Sequence, residues 1–408
     1  MFKLKNLYSG IDITKDLILL LAVGGLYSLS IALSNTFVNV YLWKQSGSYI
    51  DLAIYNLSVV VMQPLTFILA GRLAKKIDRV IVLRIGVISL ALFFIAVLLF
   101  GEKSADYLVI LGGLLGIGYG FYWLAFNVLT FEITEPETRD FFNGFMGALT
   151  SSGGIIGPIT AGFIITRFTS NIGYTIIFAI SLALFSAAVV TSFFLKRRPS
   201  SGRYLFVKIF RERKRDRNWK LVTNAHVLQG IREGTFVFVI SVYVFVATND
   251  ELALGTYGMV HAGTAFIMYS IATKLIKKDK RKQVMLIGGV ILFAAIFLIF
   301  KDPTYTRLLI YGVVIGIAYP LMLVPYSSIT YDVIGKSWKA AEMRIEYVVV
   351  KELFLNAGRV TSIVLFIIVT KIVNQETAIP ALLLLFGIGH TLAALLLQKL
   401  ETDSIEVT

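Results

Sequence analysis

Long apolar blocks alternate with short polar breaks along this chain, and the alternation predicts α-helices that cross a lipid bilayer. The blocks fall at roughly 17–43, 50–72, 79–100, 107–131, 141–166, 173–195, 221–248, 253–275, 283–300, 306–331, 346–372 and 377–398. Each runs for about 20 residues or more, which at about 1.5 Å per residue crosses a hydrocarbon core of about 30 Å. Most lack the polar face that a helix on a soluble core would show. Two are longer than one crossing needs, which predicts tilt or projection beyond the bilayer. The expected fold class is an all-α membrane protein.

The polar breaks set the orientation. One set holds the N-terminus, the links 73–78, 132–140, 196–220, 276–282 and 332–345, and the C-terminus. The link 196–220 alone carries Lys196, Arg197, Arg198, Arg203, Lys208, Arg211, Arg213, Lys214, Arg215, Arg217 and Lys220 against Glu212 and Asp216. The opposite breaks are short and near neutral. Cations gather on the cytoplasmic side of membrane proteins, so both termini and the long link are expected in the cytoplasm, in a cell (plasma) membrane. That requires an even number of spans, as counted.

Composition agrees. Of 408 residues, 57% are hydrophobic and 16% charged, where a soluble domain carries about 25% charged. The polar lead Met1–Lys15 runs into an apolar block too long for a signal peptide, which predicts a retained span. A net charge of +14 would suggest nucleic acid in a soluble protein. Here the cations sit in loops, so topology and contact with membrane lipids explain them, and nucleic acid is not an expected partner. The absence of cysteine removes disulfides, thiol catalysis and thiolate metal sites. No G-x-x-x-x-G-K-S/T loop and no H-E-x-x-H pair occurs, so neither ATP hydrolysis nor a metal enzyme is expected, and no bound cofactor.

The link divides the chain into 1–195, 196–220 and 221–408, two six-helix units and a linker. Tyr204, Leu205, Phe206, Ile209 and Phe210 lie among its cations, so it reads either as a lipid-binding amphipathic segment or as a solvated topology determinant. An internal repeat supports the division. Leu115-Gly116-Ile117-Gly118-Tyr119 matches Ile315-Gly316-Ile317-Ala318-Tyr319, and Thr130-Phe131-Glu132 matches Thr330-Tyr331-Asp332, at a constant offset of 200 positions. Duplicated halves around a central site are the plan of many secondary transporters.

At this point the chain resembles the major facilitator superfamily over nearly its whole length. Gly71-Arg72-Leu73-Ala74-Lys75-Lys76-Ile77-Asp78-Arg79 is similar to that family's loop between spans two and three. Lys75 stands where the family has an aspartate that clamps the inner gate, and Asp78 is the candidate to replace it. Gly153-Gly154-Ile155-Ile156-Gly157-Pro158-Ile159-Thr160-Ala161-Gly162 is similar to a fifth-span stretch associated with proton-exchanging exporters. Physically, Gly153, Gly157 and Ala161 make a smooth ridge for close helix contact, and Pro158 permits a bend. The fourth span departs from such exporters, because residues 107–131 contain no arginine.

Charges inside spans are the sharpest lead to a site, since one at mid-bilayer costs about 2.5–3.5 kcal/mol on insertion scales. Span seven holds Arg232 and Glu233, whose side chains point about 100° apart, so each needs a partner elsewhere. Span eleven holds Glu352, Asn356 and Arg359, at i, i+4 and i+7 on one face. Arg232 and Arg359 suit an anionic group, and Glu233 or Glu352 a coupling proton; an ion-pair network locking the helices is the structural alternative. His261 is a lesser candidate for coupling, His226 reads as interfacial and His390 as structural. Tyr119, Tyr122, Trp123 and Asn127 in span four, with Tyr319 and Tyr326 in span ten, could line a cavity for an amphipathic solute or serve as packing. At helix ends, Glu132 and Asp332 are solvated residues or inner-gate partners of Arg139 and Arg344.

These readings converge on a monomeric secondary transporter without enzymatic activity. Export of an amphipathic or anionic small molecule by alternating access, driven by a proton or sodium gradient, is the first expectation. Uptake, flipping of a lipid-linked precursor, and a non-transporting scaffold or sensor are the alternatives.

Overall fold

In this computed structural model, residues 14–134, 136–168, 171–200, 202–300 and 302–401 are described. The first half forms α1 (Lys15–Ser46), α2 (Tyr49–Lys76), α3 (Arg79–Phe100), α4 (Leu108–Ile133), α5 (Pro136–Arg167) and α6 (Ile172–Phe193). A short α7 (Phe206–Glu212) sits in the linker. Then come α8 (Arg217–Thr248), α9 (Glu251–Leu275), α10 (Arg281–Ala294), α11 (Tyr305–Lys336), α12 (Arg344–Ile372), α13 (Gln375–Gly387) and α14 (Gly389–Gln398). Polar breaks start these helices by capping. Thr14, Ser48, Asp78, Asp216 and Asp250 each accept from an amide two or three positions ahead, satisfying a donor that has no partner within the helix. The Asp216 cap starts α8 one turn earlier than the apolar pattern does.

Among the described residues, ten apolar stretches are long enough to cross a membrane, and one of these, Arg79–Thr130, is 52 residues long and holds both α3 and α4. α9 is not among the ten because Thr256, Tyr257, His261 and Thr264 interrupt its apolar run. Counting α9, and taking α13 with α14 as one crossing, the described helices make the twelve spans expected. The last crossing breaks at Ile388, between two glycines. A Cβ at Gly389 would lie 2.3 Å from the Leu228 carbonyl oxygen, so only glycine lets α14 approach α8 this closely.

Helices α1 to α6 pack among themselves, as do α8 to α14, and two long seams join the sets: α2 against α12, and α5 against α9. The start of α1, the linker and the end of α14 lie together, tied by Arg198–Asp16 at 3.2 Å and by Arg217–Glu401. We refer to this as the linker end.

The α5–α9 seam is tightest toward the opposite end. A Cβ at Gly162 would lie 2.5 Å from the Glu251 carbonyl oxygen, and one at Gly255 would lie 2.4 Å from that of Pro158. The other face of the α5 ridge meets α1, where a Cβ at Gly157 would lie 2.8 Å from Ala32. Toward the linker end the two helices part. Added Cβ atoms at Gly144, Gly147 and Gly263 would meet nothing within 4 Å. There α5 touches α1 through Met146 and Leu149, while Asn143, Phe145, Ala148 and Thr150 stay exposed.

Candidate functional site

A cavity of about 540 Å³ lies between the two sets of helices. Its first wall is uncharged. Asn35 and Asn39 sit one turn apart on α1, and Tyr55, Asn56 and Gln63 on α2, with Tyr119 reaching in from α4. The Asn56 Nδ2 donates to Asn39 Oδ1 at 2.9 Å, and the Tyr119 hydroxyl donates to Asn35 Oδ1 at 3.3 Å. Mutual hydrogen bonding holds these amides in an interior that would otherwise penalise them.

The second wall is charged. Glu233 on α8 accepts from Arg359 at 2.6 Å, from the Tyr319 hydroxyl at 3.0 Å and from Gln229 at 2.8 Å. His390 lies 4.0 Å from the same carboxylate. Asn356 stands behind Arg359 and accepts from its guanidinium at 3.4 Å. A close α8–α12 approach makes this pairing possible, since a Cβ at Gly230 would lie 2.0 Å from the Leu355 carbonyl oxygen.

Arg232 differs. It lines the cavity at 5% exposure, and its guanidinium lies 4.5 Å over the Phe236 ring. Among the described residues no carboxylate lies within bridging distance of it, and its Nε has no hydrogen-bond partner. Removing a cation from water without a counter-charge costs several kcal/mol. The site therefore holds a cation whose contacting groups, the Tyr311 hydroxyl among them, carry no compensating charge. His261 and Tyr311 lie on the same wall.

Aromatic and ionic contacts close the cavity toward the opposite end. Trp43 packs edge-on against Phe245 and Tyr49 against Tyr243. Glu251 accepts from Lys44 at 2.7 Å and from the Tyr174 hydroxyl at 3.0 Å. At the linker end the α2–α12 seam is closed by Lys75, which donates to both oxygens of the fully buried Glu346 at 3.0 Å. The Leu205 amide donates to that carboxylate as well, so the linker is part of the closure.

Of the residues singled out in the sequence, Arg232, Glu233, Arg359, Tyr119 and Tyr319 meet at the cavity, and Asn356 supports it. Glu352 does not join them. Its carboxylate turns to the neighbouring Lys351 at 3.0 Å, two long side chains bending together despite their diverging Cα–Cβ bonds. Tyr122 and Trp123 lie outside the lining: Tyr122 is buried with the Tyr27 ring stacked on it at 3.9 Å, and Trp123, which is exposed, meets Tyr27 edge-on at 5.3 Å. Asn127 lies outside the lining residues, and Tyr326 packs on His226 in the core of the second half. His226 is thus buried rather than interfacial, and His390 adjoins Glu233.

The gate expectations also change. Asp78 does not replace the missing aspartate across the seam. It caps α3 and accepts from Arg197 at 3.2 Å, while Lys75 itself makes the clamp with the polarity reversed. Gly71 lies under Tyr204 and Val349, and Arg72 is exposed. Glu132 pairs with Arg79 at 2.8 Å, and Asp332 with Arg281 at 3.0 Å rather than with Arg344. The repeat is visible in these two pairs, each joining the start of one helix to the end of the next. The Arg139 side chain lies outside the described residues.

The comparisons with known proteins agree with this architecture. The family model described as Major Facilitator Superfamily matches residues 18–343. The chain belongs to the major facilitator superfamily. It is 61% identical over 392 residues to the uncharacterized protein YqgE of Bacillus subtilis (strain 168), covering 96% of this chain and 91% of that protein. A 109-residue stretch, 26% of the chain and 19% of the relative, is 32% identical to the MFS-type efflux pump elcC of Phaeosphaeria nodorum. The crystal structure of the human organic anion transporter MFSD10 (TETRAN) superposes with a TM-score of 0.69 at 12% identity, over 95% of this chain and all of that one. At that identity the likeness establishes the fold alone. Membership makes this a multi-pass membrane protein of a transporter family, with its candidate site at the interface of the two halves, where superfamily folds bind their solutes.

Proposed function

We propose that the chain is a secondary active exporter of an amphipathic organic anion. The unpaired cation of Arg232 carries this reading: a buried guanidinium facing a cavity walled by neutral amides and aromatics is matched by a ligand with one anionic group and an apolar body. The basic loops support a cytoplasmic linker end in a cell membrane. Trp43–Phe245, Tyr49–Tyr243 and Lys44–Glu251 join the halves on the other side, which supports loading from the cytoplasm or its leaflet, with the gap between α5 and α9 at the linker end as the proposed route. The solved neighbour is an organic anion transporter by title, and the partial relative an efflux pump by name, which fits both halves of the proposal.

A second reading, proton-coupled uptake, has one observation in its favour. Protonating Glu233 would release Arg359 to bind an anion, so proton and anion would travel together. Proteoliposomes loaded with a fluorescent amphipathic carboxylate separate the two. Export by exchange predicts that protons move opposite to the dye, and uptake that they move with it. A protein that moves no anion from a broad panel, or an Arg232→Gln variant as active as the parent, refutes both.

A further inference from the structure

We propose that the linker and the first turn of α8 form a binding site for an anionic phospholipid. A second cavity, of about 500 Å³, opens there. Phe210 of α7 and six basic side chains line it, with no acidic residue among them. Two of the six are already engaged. Arg213 donates to Thr223 at 2.7 Å and to Asn224 at 2.6 Å, and Arg217 pairs with Glu401. The other four, Arg211, Lys214, Arg215 and Lys220, are exposed, and none has a carboxylate partner among the described residues. Like charges gathered this closely repel, and a phosphodiester accepting from several of them reverses the sign of that energy.

The surroundings select a lipid over a soluble anion. α7 buries Ile209 completely, yet leaves Val207 at 56% and Phe210 at 39% exposure beside the cations. The cavity adjoins Arg217–Lys220, where the apolar run of α8 begins, and therefore lies at headgroup depth. A free phosphate would leave Val207 and Phe210 in water. A phospholipid covers them with acyl chain while its phosphate meets the cations. The site also touches the transport machinery. Phe210 stacks on Phe354 at 5.6 Å, and Arg213 lies 3.9 Å over the same ring, so an occupied site presses the linker onto α12, the helix that carries Glu346 and Arg359.

The test uses the full-length protein in mild detergent, titrated with dioleoylphosphatidylglycerol or dioleoylphosphatidylcholine and read by native mass spectrometry. Phosphatidylglycerol should bind more tightly, and the preference should weaken as salt is added. The triple substitution Arg211→Gln, Lys214→Gln and Arg215→Gln should reduce its affinity by about 100-fold, at roughly fivefold per surface cation. If the triple variant aggregates, Lys214→Gln alone should still cost about fivefold. Equal binding of the two lipids, undiminished binding by these variants, or full displacement by equimolar glycerol 3-phosphate would overturn the proposal.

Discussion

The two walls of the central cavity solve the same problem by opposite means. On the first, Asn35, Asn39, Asn56 and Tyr119 satisfy one another with neutral hydrogen bonds. On the second, Glu233 is surrounded by Arg359, Tyr319 and Gln229, while Arg232 is left without a counter-charge. The neutral wall can exchange its partners for a ligand at small cost, since a neutral hydrogen bond contributes about 1 kcal/mol net. The charged wall cannot, because breaking a buried ion pair from one side costs about 3–5 kcal/mol. Under the proposed function, the first half therefore supplies shape and adaptability, and the second the binding and coupling energy.

The largest effect is expected from Arg359→Ala, which strands the Glu233 carboxylate. Transport should fall by at least about 100-fold, consistent with a loss of about 3–5 kcal/mol. Adding Glu233→Gln should restore thermal stability without restoring flux. If flux returns too, the pair is a structural lock. Glu233→Gln alone should keep anion binding, because Arg359 is freed, but should abolish the coupling between dye and proton movement. Persisting proton movement in step with the dye would place coupling elsewhere. Asn56→Ala on the neutral wall should raise the half-saturating concentration by about fivefold, one hydrogen bond's worth, with the maximal rate nearly unchanged. A loss there as large as for Arg359 would erase the contrast between the walls. The smallest effect is expected from Glu352→Gln, whose carboxylate faces Lys351 outside the cavity; loss of coupling in that variant would return it to the site.

The uneven legibility of the site has a physical origin. Spans and repeat were readable because a bilayer punishes polar residues wherever they face lipid. Arg232 and Arg359 stood out for the same reason. The amides did not, since asparagine in an apolar span is a weaker anomaly than a charge, although the four-residue step from Asn35 to Asn39 was a usable signal. Partners were not readable at all. Glu233 finds Arg359 across 126 positions through two glycine-smoothed helices, and Glu352 turned to its neighbour instead of its helical face. Tyr122 had the right chemistry but is buried in the core of the first half, stacked on Tyr27 from another helix. Lys75 looked like a defect in a motif, and its meaning appeared only once Glu346 stood opposite.

The seam between α5 and α9 is fastened most closely at Gly162, Pro158 and Gly255, level with the second half of α5. From Pro158 back to Pro136 is about 33 Å of helix, at about 1.5 Å per residue. Such placement makes α5, with α1 packed along it, a long lever hinged at the fastened point. A tilt of about 10° at the fastened point swings the far tip by roughly 6 Å while the glycine contacts slide by less than a bond length. Such a tilt would open or shut a mouth at one end of the molecule without breaking the joint at the other.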